Sequence, residues 1–208
     1  MSMGHRGAEL KGVERMDIDA AQTNRDRLLE TIRSFDGILE LAPGEGGEFP
    51  RLAWGDFFFY YAPDGVIPTA VQPYATIVTK DYPDDRLSEL DPAGRWRVNI
   101  HVGSASFTEL VGESPRDVGA RGLDAPGRDF SEPDVFLPHP VYGSLGWIAV
   151  VNPGARTMAA IVELLRAAHE QERRRVIRRA QARADVAARD GAGDAGVVDD
   201  SAADDSAG

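Results

Sequence analysis

The sequence predicts an α+β domain: an antiparallel sheet of four or five strands with N- and C-terminal helices packed on one face. Three observations carry this. Strand-like runs cluster at 54–61, 74–80, 95–102 and 147–152. A helix-like segment precedes them and a longer one follows, an order typical of segregated helices on an antiparallel sheet. Within 95–102, Trp96, Val98, Ile100 and Val102 alternate with Arg95, Arg97, Asn99 and His101. A strand points successive side chains to opposite faces, so the first set is core and the second faces away from it.

In chain order, residues 1–21 read as a flexible extension, 22–172 as one α+β domain, 173–189 as a basic helical extension and 190–208 as a disordered acidic tail. Thr23-Asn-Arg-Asp26 has capping-box spacing, with Asp in place of the usual Glu. Leu28, Leu29, Ile32 and Phe35 then share a helical face, and Gly37 is placed to end that helix. Residues 38–41 form a short first strand, followed by a Gly/Pro loop at 43–50. Phe57, Phe59 and Tyr61 alternate with Phe58 and Tyr60; bulky groups on both sides predict a strand covered on both faces. Ala62-Pro-Asp-Gly65 and Asp91-Pro-Ala-Gly94 suit type I turns, and the polar stretch 81–91 between them predicts an exposed loop. Ser104 is suited to cap a short helix over 105–111. Residues 112–136 lack a period and read as a long loop, and Leu137-Pro-His-Pro140 is stiff by composition. Thr157 can cap the last helix, whose buried stripe is Met158, Ile161, Val162, Leu165 and Ala168.

Composition narrows the function classes. With 208 residues, one domain plus tails is expected, and with no cysteine there is no disulfide, thiolate site or cysteine nucleophile. No apolar run is long enough to span a bilayer and no secretory leader is evident, which predicts a soluble cytoplasmic protein. The net charge is −11. An acidic body disfavours nucleic acid as a partner. The exception is 156–189, with nine basic and four acidic residues. Arg173-Arg-Arg175, Arg178, Arg179 and Arg183 could grip phosphates, although a solvated helix end facing an acidic tail accounts for them equally well.

Several motifs resemble an uncharacterised bacterial family, a domain of unknown function. They are Trp54-Gly-Asp56, Phe58-Phe-Tyr-Tyr-Ala-Pro-Asp-Gly65, Ala75-Thr-Ile-Val-Thr-Lys-Asp-Tyr-Pro83, Arg97-Val-Asn99, Leu137-Pro-His-Pro-Val-Tyr142 and Gly146-Trp-Ile-Ala-Val-Val-Asn-Pro-Gly154. The resemblance covers about 23–172 and transfers no catalytic residue. Phe59, Arg97-Val-Asn99, Trp147 and the helix near His169-Glu170 are also similar to MmcQ/YjbR-like proteins, which implies the same small α+β topology.

The stripe Arg95, Arg97, Asn99 and His101 is the foremost candidate site. Guanidinium forks, an amide and an imidazole on one face suit an anionic or carbonyl-bearing ligand. A wet sheet face with cross-strand ion pairs is the competing reading. Lys80 and Tyr142 are further candidate ligand contacts. His139, held between prolines, and His101 are candidate acid/base residues. Asp56 is a better turn cap than catalyst. The glycine-rich Pro43-Gly-Glu-Gly-Gly-Glu48 lacks the Lys-Ser/Thr of a phosphate loop. The histidines are scattered, so no metal is expected, and no cofactor is implied. The leading expectation is a monomer or homodimer binding a small polar or anionic molecule. The alternatives are a cofactor-independent enzyme with Arg97 stabilising an anion, and nucleic-acid binding through the arginine-rich helix.

Overall fold

The computed structural model describes residues 4–69, 71–122 and 127–194. Six strands form one sheet: β1 (Ile38–Leu41), β2 (Phe57–Tyr61), β3 (Ala75–Val78), β4 (Arg97–His101), β5 (Leu137–Pro138) and β6 (Trp147–Val151). Their order is β1-β2-β3-β4-β6-β5, with every neighbouring pair antiparallel. The helices are α1 (Gly4–Arg33), α2 (Gly103–Val111), α3 (Pro115–Arg121) and α4 (Met158–Asp194). The chain divides between Glu172 and Arg173 into two units. The sheet belongs to the first; the described part of the second is the C-terminal stretch of α4.

Register sorts the side chains into two faces. Phe59 lies opposite Ala75, Ala75 opposite Ile100, and Ile100 opposite Ile148. This row, with Ile77, Val98 and Val150, is buried against Leu28, Leu29 and Ile32 of α1, Phe107 of α2, and Ile161, Leu165 and Ala168 of α4. Each such Leu, Ile or Phe contributes about 1.5–3 kcal/mol on burial. Trp96, just before β4, is 1% exposed and donates its indole N–H to the Ala21 carbonyl at 3.0 Å, pinning α1 to the sheet. The alternation expected for this stretch is therefore realised, with the helices on the Trp96–Val98–Ile100 side. On the other face the row is Phe58, Thr76, Asn99, Ala149 and Leu137.

Local details depart from expectation. The sheet has six strands because the stiff Leu137-Pro138 pairs with β6 as a two-residue edge. Helix α1 begins well before the capping-box spacing, and Thr23 donates its hydroxyl to the Asp19 carbonyl as an interior helical residue. It ends at Arg33; Gly37, at φ 69°, serves instead the turn into β1, where a Cβ would meet the Tyr61 ring at 2.7 Å. Ser104 lies inside α2, which starts at Gly103. The stretch read as a long loop contains α3, capped by Ser114. Asp134 rather than Thr157 caps α4. Its carboxylate accepts from the backbone N–H groups of Gly154, Arg156 and Thr157 and from the Thr157 hydroxyl, at 2.6–3.0 Å. Residues 1–3 of the extension and 195–208 of the acidic tail lie outside the described residues.

Candidate functional site

The face away from the helices holds a cavity of about 510 Å³. Its floor comes from β2, β3, β4 and β6, through Phe58, Tyr60, Thr76, Arg97, Asn99 and Trp147. The segment after β3 supplies Tyr82, Asp84 and Asp85, and the segment after β5 supplies His139, Val141 and Tyr142. The volume is in the range of small-molecule sites.

Arg97 is the charged centre of the floor and is only 2% exposed. Its Nη1 donates to Asp85 Oδ1 at 3.1 Å and to Ser88 Oγ at 2.8 Å, and its Nη2 donates to Asp85 Oδ2 at 2.5 Å. This is a forked pair in which the carboxylate answers the guanidinium charge. Burial raises the Asp85 pKa most, but the Arg97 hydrogen bonds and charge together outweigh it, and the net shift is below the ordinary carboxylate value. Two strand positions along, Asn99 donates Nδ2–H to Thr76 Oγ1 at 2.8 Å. Among the described residues, Arg97 Nε and Asn99 Oδ1 are buried without a hydrogen-bond partner.

His139 is 5% exposed and held from both sides. Its Nδ1 accepts the backbone N–H groups of Val141 and Tyr142 at 3.1 and 3.2 Å. The tight Pro-His-Pro bend makes this local geometry available. Its Nε2 lies 3.2 Å from Arg97 Nη2 and 3.9 Å from Asp85 Oδ2. Burial lowers its pKa to about 3, aided by the Arg97 charge and opposed by Asp85. The ring is neutral at physiological pH.

The structure brings Arg97, Asn99, His139 and Tyr142 together around the cavity. Tyr142 stands at the rim, 42% exposed, with its ring 4.9 Å from that of His139. Arg95, Lys80 and His101 are not among the lining residues. Arg95 precedes β4, and its guanidinium ties the carbonyls of Ser88 and Ser131. Lys80 turns to the Trp54 carbonyl and Asp56. His101 ends β4 beside Trp147, their ring centres 5.7 Å apart. Asp56 is fully buried and accepts from the Thr79 N–H and hydroxyl, Lys80, and the Tyr82 hydroxyl at 2.6 Å. It acts as a clamp between distant segments instead of the local turn cap expected, and it orients Tyr82 on the cavity wall. Burial and that hydrogen bond push the Tyr82 pKa above the usual range.

Sequence reasoning misses Asp85, Ser88 and Tyr82 as partners of the site. They lie in or beside the polar 81–91 stretch, and the only local signal is an isolated bulky Tyr82 among acids. Among the described residues, no group of three or more His, Cys, Asp or Glu is placed to hold a metal ion, and no helix is long and apolar enough to cross a membrane.

Fold and site together define a class: an α+β domain with helices on one face of an open antiparallel sheet and a polar, aromatic-walled cavity on the other. Residues 23–181 match the model of a family described as a family of unknown function, DUF6194, and the chain belongs to that family. Searches of curated proteins and of solved structures find no significant match.

Proposed function

We propose that this domain binds a small, uncharged polar molecule in the cavity on the open face of its sheet. The observation that carries the reading is the cavity itself, about 510 Å³, in which Thr76, Arg97, Asn99 and His139 share the lining with Phe58, Tyr60 and Trp147. Of the two ligand classes expected from the sequence, polar is favoured over anionic. The Arg97 charge is already matched by Asp85, and Asp84 adds a second negative group to the lining. A buried, neutral His139 suits a fixed hydrogen-bonding post better than a proton shuttle. The similarity to MmcQ/YjbR-like proteins supports topology alone.

Thermal-shift titration tests the reading. A panel of monosaccharides, amino acids, nucleosides and ureides is run against the wild type and Asn99→Ala. At a hundred-fold excess over Kd a true ligand stabilises by about 2.7 kcal/mol, roughly 5–10 °C for a chain of this size. Loss of that shift in Asn99→Ala supports the site. An equal shift in the variant, or no shift with any compound, overturns it.

A further inference from the structure

Resting on that reading of the cavity, we propose that its guest is a neutral polyhydroxylated ring, a monosaccharide or cyclic polyol, held between aromatic side chains and a polar rim.

Exposure decides what a guest can touch. Arg97, Asn99, His139 and Trp147 are buried, and the terminal N–H groups of Arg97 and Asn99 go to Asp85, Ser88 and Thr76. These residues shape the base of the cavity. The accessible lining differs in kind. Phe58, Tyr60 and Tyr82 are half-buried, and Gln72, Asp84 and Tyr142 are exposed. Phe58 and Tyr60 lie two residues apart on β2 and share the open face. The Tyr82 hydroxyl is held by Asp56 at 2.6 Å, which leaves its ring as the free part. Tyr142 adds a fourth ring from the segment after β5. Ring faces of this kind pack against the C–H face of a saturated ring.

Polar groups are interleaved with these rings. The Tyr60 and Tyr142 hydroxyls, the Gln72 amide and the Asp84 carboxylate have no hydrogen-bond partner among the described residues. They come from four separate segments, and in the sheet order these run from the β2 side to the β5–β6 side. Hydrogen-bonding capacity is thus spread across the rim rather than gathered at one point. A guest with its polar groups on a single edge leaves part of that rim unused. A pyranose or cyclitol carries hydroxyls around its perimeter, and each can donate or accept. Hydroxyl donors suit Asp84, which only accepts, while the amide and the phenols take either role. Charge narrows the class further. A uronate or phosphate meets Asp84, and the lining guanidinium, Arg97, is 2% exposed and paired with Asp85. An ammonium gains little from Asp84, because water screens an exposed carboxylate. The cavity volume accommodates one such ring with a substituent.

Saturation-transfer NMR and calorimetric titration on the full chain test glucose, galactose, mannose, N-acetylglucosamine and myo-inositol, with glucuronate, glucosamine, uridine and leucine as contrasts. At least one neutral ring is expected to bind about tenfold more tightly than every contrast. Asp84→Ala and Tyr142→Ala change exposed rim positions and leave the core intact, and at least one is expected to weaken that binding about tenfold. Glu132→Ala, exposed and outside the lining, is expected to leave it unchanged. Tighter binding of glucuronate or glucosamine than of every neutral ring overturns the proposal, as does binding that neither rim variant alters. Binding of uridine or leucine with none from the sugars and polyol overturns the ring class and leaves the cavity reading standing. Silence from every compound removes both.

Discussion

Burial governs the behaviour of His139 before any charge does, and the sign of its pH effect follows. Its folded pKa, about 3, lies below the ordinary 6.5. Between these values the unfolded chain takes up a proton that the folded chain refuses, so stability falls as pH falls through that window. By pH 5 the loss is about 2 kcal/mol, or roughly 4–8 °C in Tm. The depressed pKa of Asp85 acts in the same sense, but only below the carboxylate range. Wild-type Tm should therefore drop more steeply from pH 6.5 to 5 than that of His139→Gln; parallel slopes would exclude the assignment. A second prediction concerns the ion pair. Asp85→Ala leaves a guanidinium buried and uncompensated, a loss of about 3–5 kcal/mol. A double variant with Arg97→Met should recover part of it in chemical denaturation, and additive losses would show that the pair is uncoupled. At this scale Arg97 and Asn99 are legible because strand alternation fixes where they point. Asp85 is not: a lone aspartate in a polar stretch carries no local mark of the buried arginine it will meet. Lys80 and Arg95 mislead for the matching reason, since a long cation's partner is set by loop geometry that spacing does not encode.

Among the elements, α4 depends on a residue far from it in sequence. Asp134 takes three backbone N–H groups and the Thr157 hydroxyl at the helix start. Side-chain caps contribute about 0.5–2 kcal/mol each, and Asp134→Ala is expected at the upper end of that range by denaturant unfolding. A change below about 0.5 kcal/mol would mean that the cap is dispensable. The periodic elements are legible in the sequence: β2, β3, β4, β6 and the buried stripe of α4 all follow their apolar patterns. The aperiodic ones are not. β5 has two residues and one is proline, α3 is seven residues long, and the cap of α4 is non-local. None of these leaves a pattern that a window of neighbouring residues can reveal.

For the molecule as a whole, the apolar stripe of α4 is spent before its end. Every side chain from 181 to 189 is exposed. Replacing Arg183 and Val186 by Ala should change Tm by less than about 2 °C, because exposed positions contribute little. A larger fall would show that the C-terminal stretch supports the sheet-bearing unit. The sheet itself ends, on one border, at Pro138. Proline has no N–H to offer a docking strand, and a two-residue edge is a poor template in any case. The opposite border is short and carries Glu40, engaged by Arg33 at 2.7 Å. Both margins thus resist strand-by-strand growth, which should keep concentrated samples free of fibrils and directs any self-association to side-chain surfaces rather than backbone zippering.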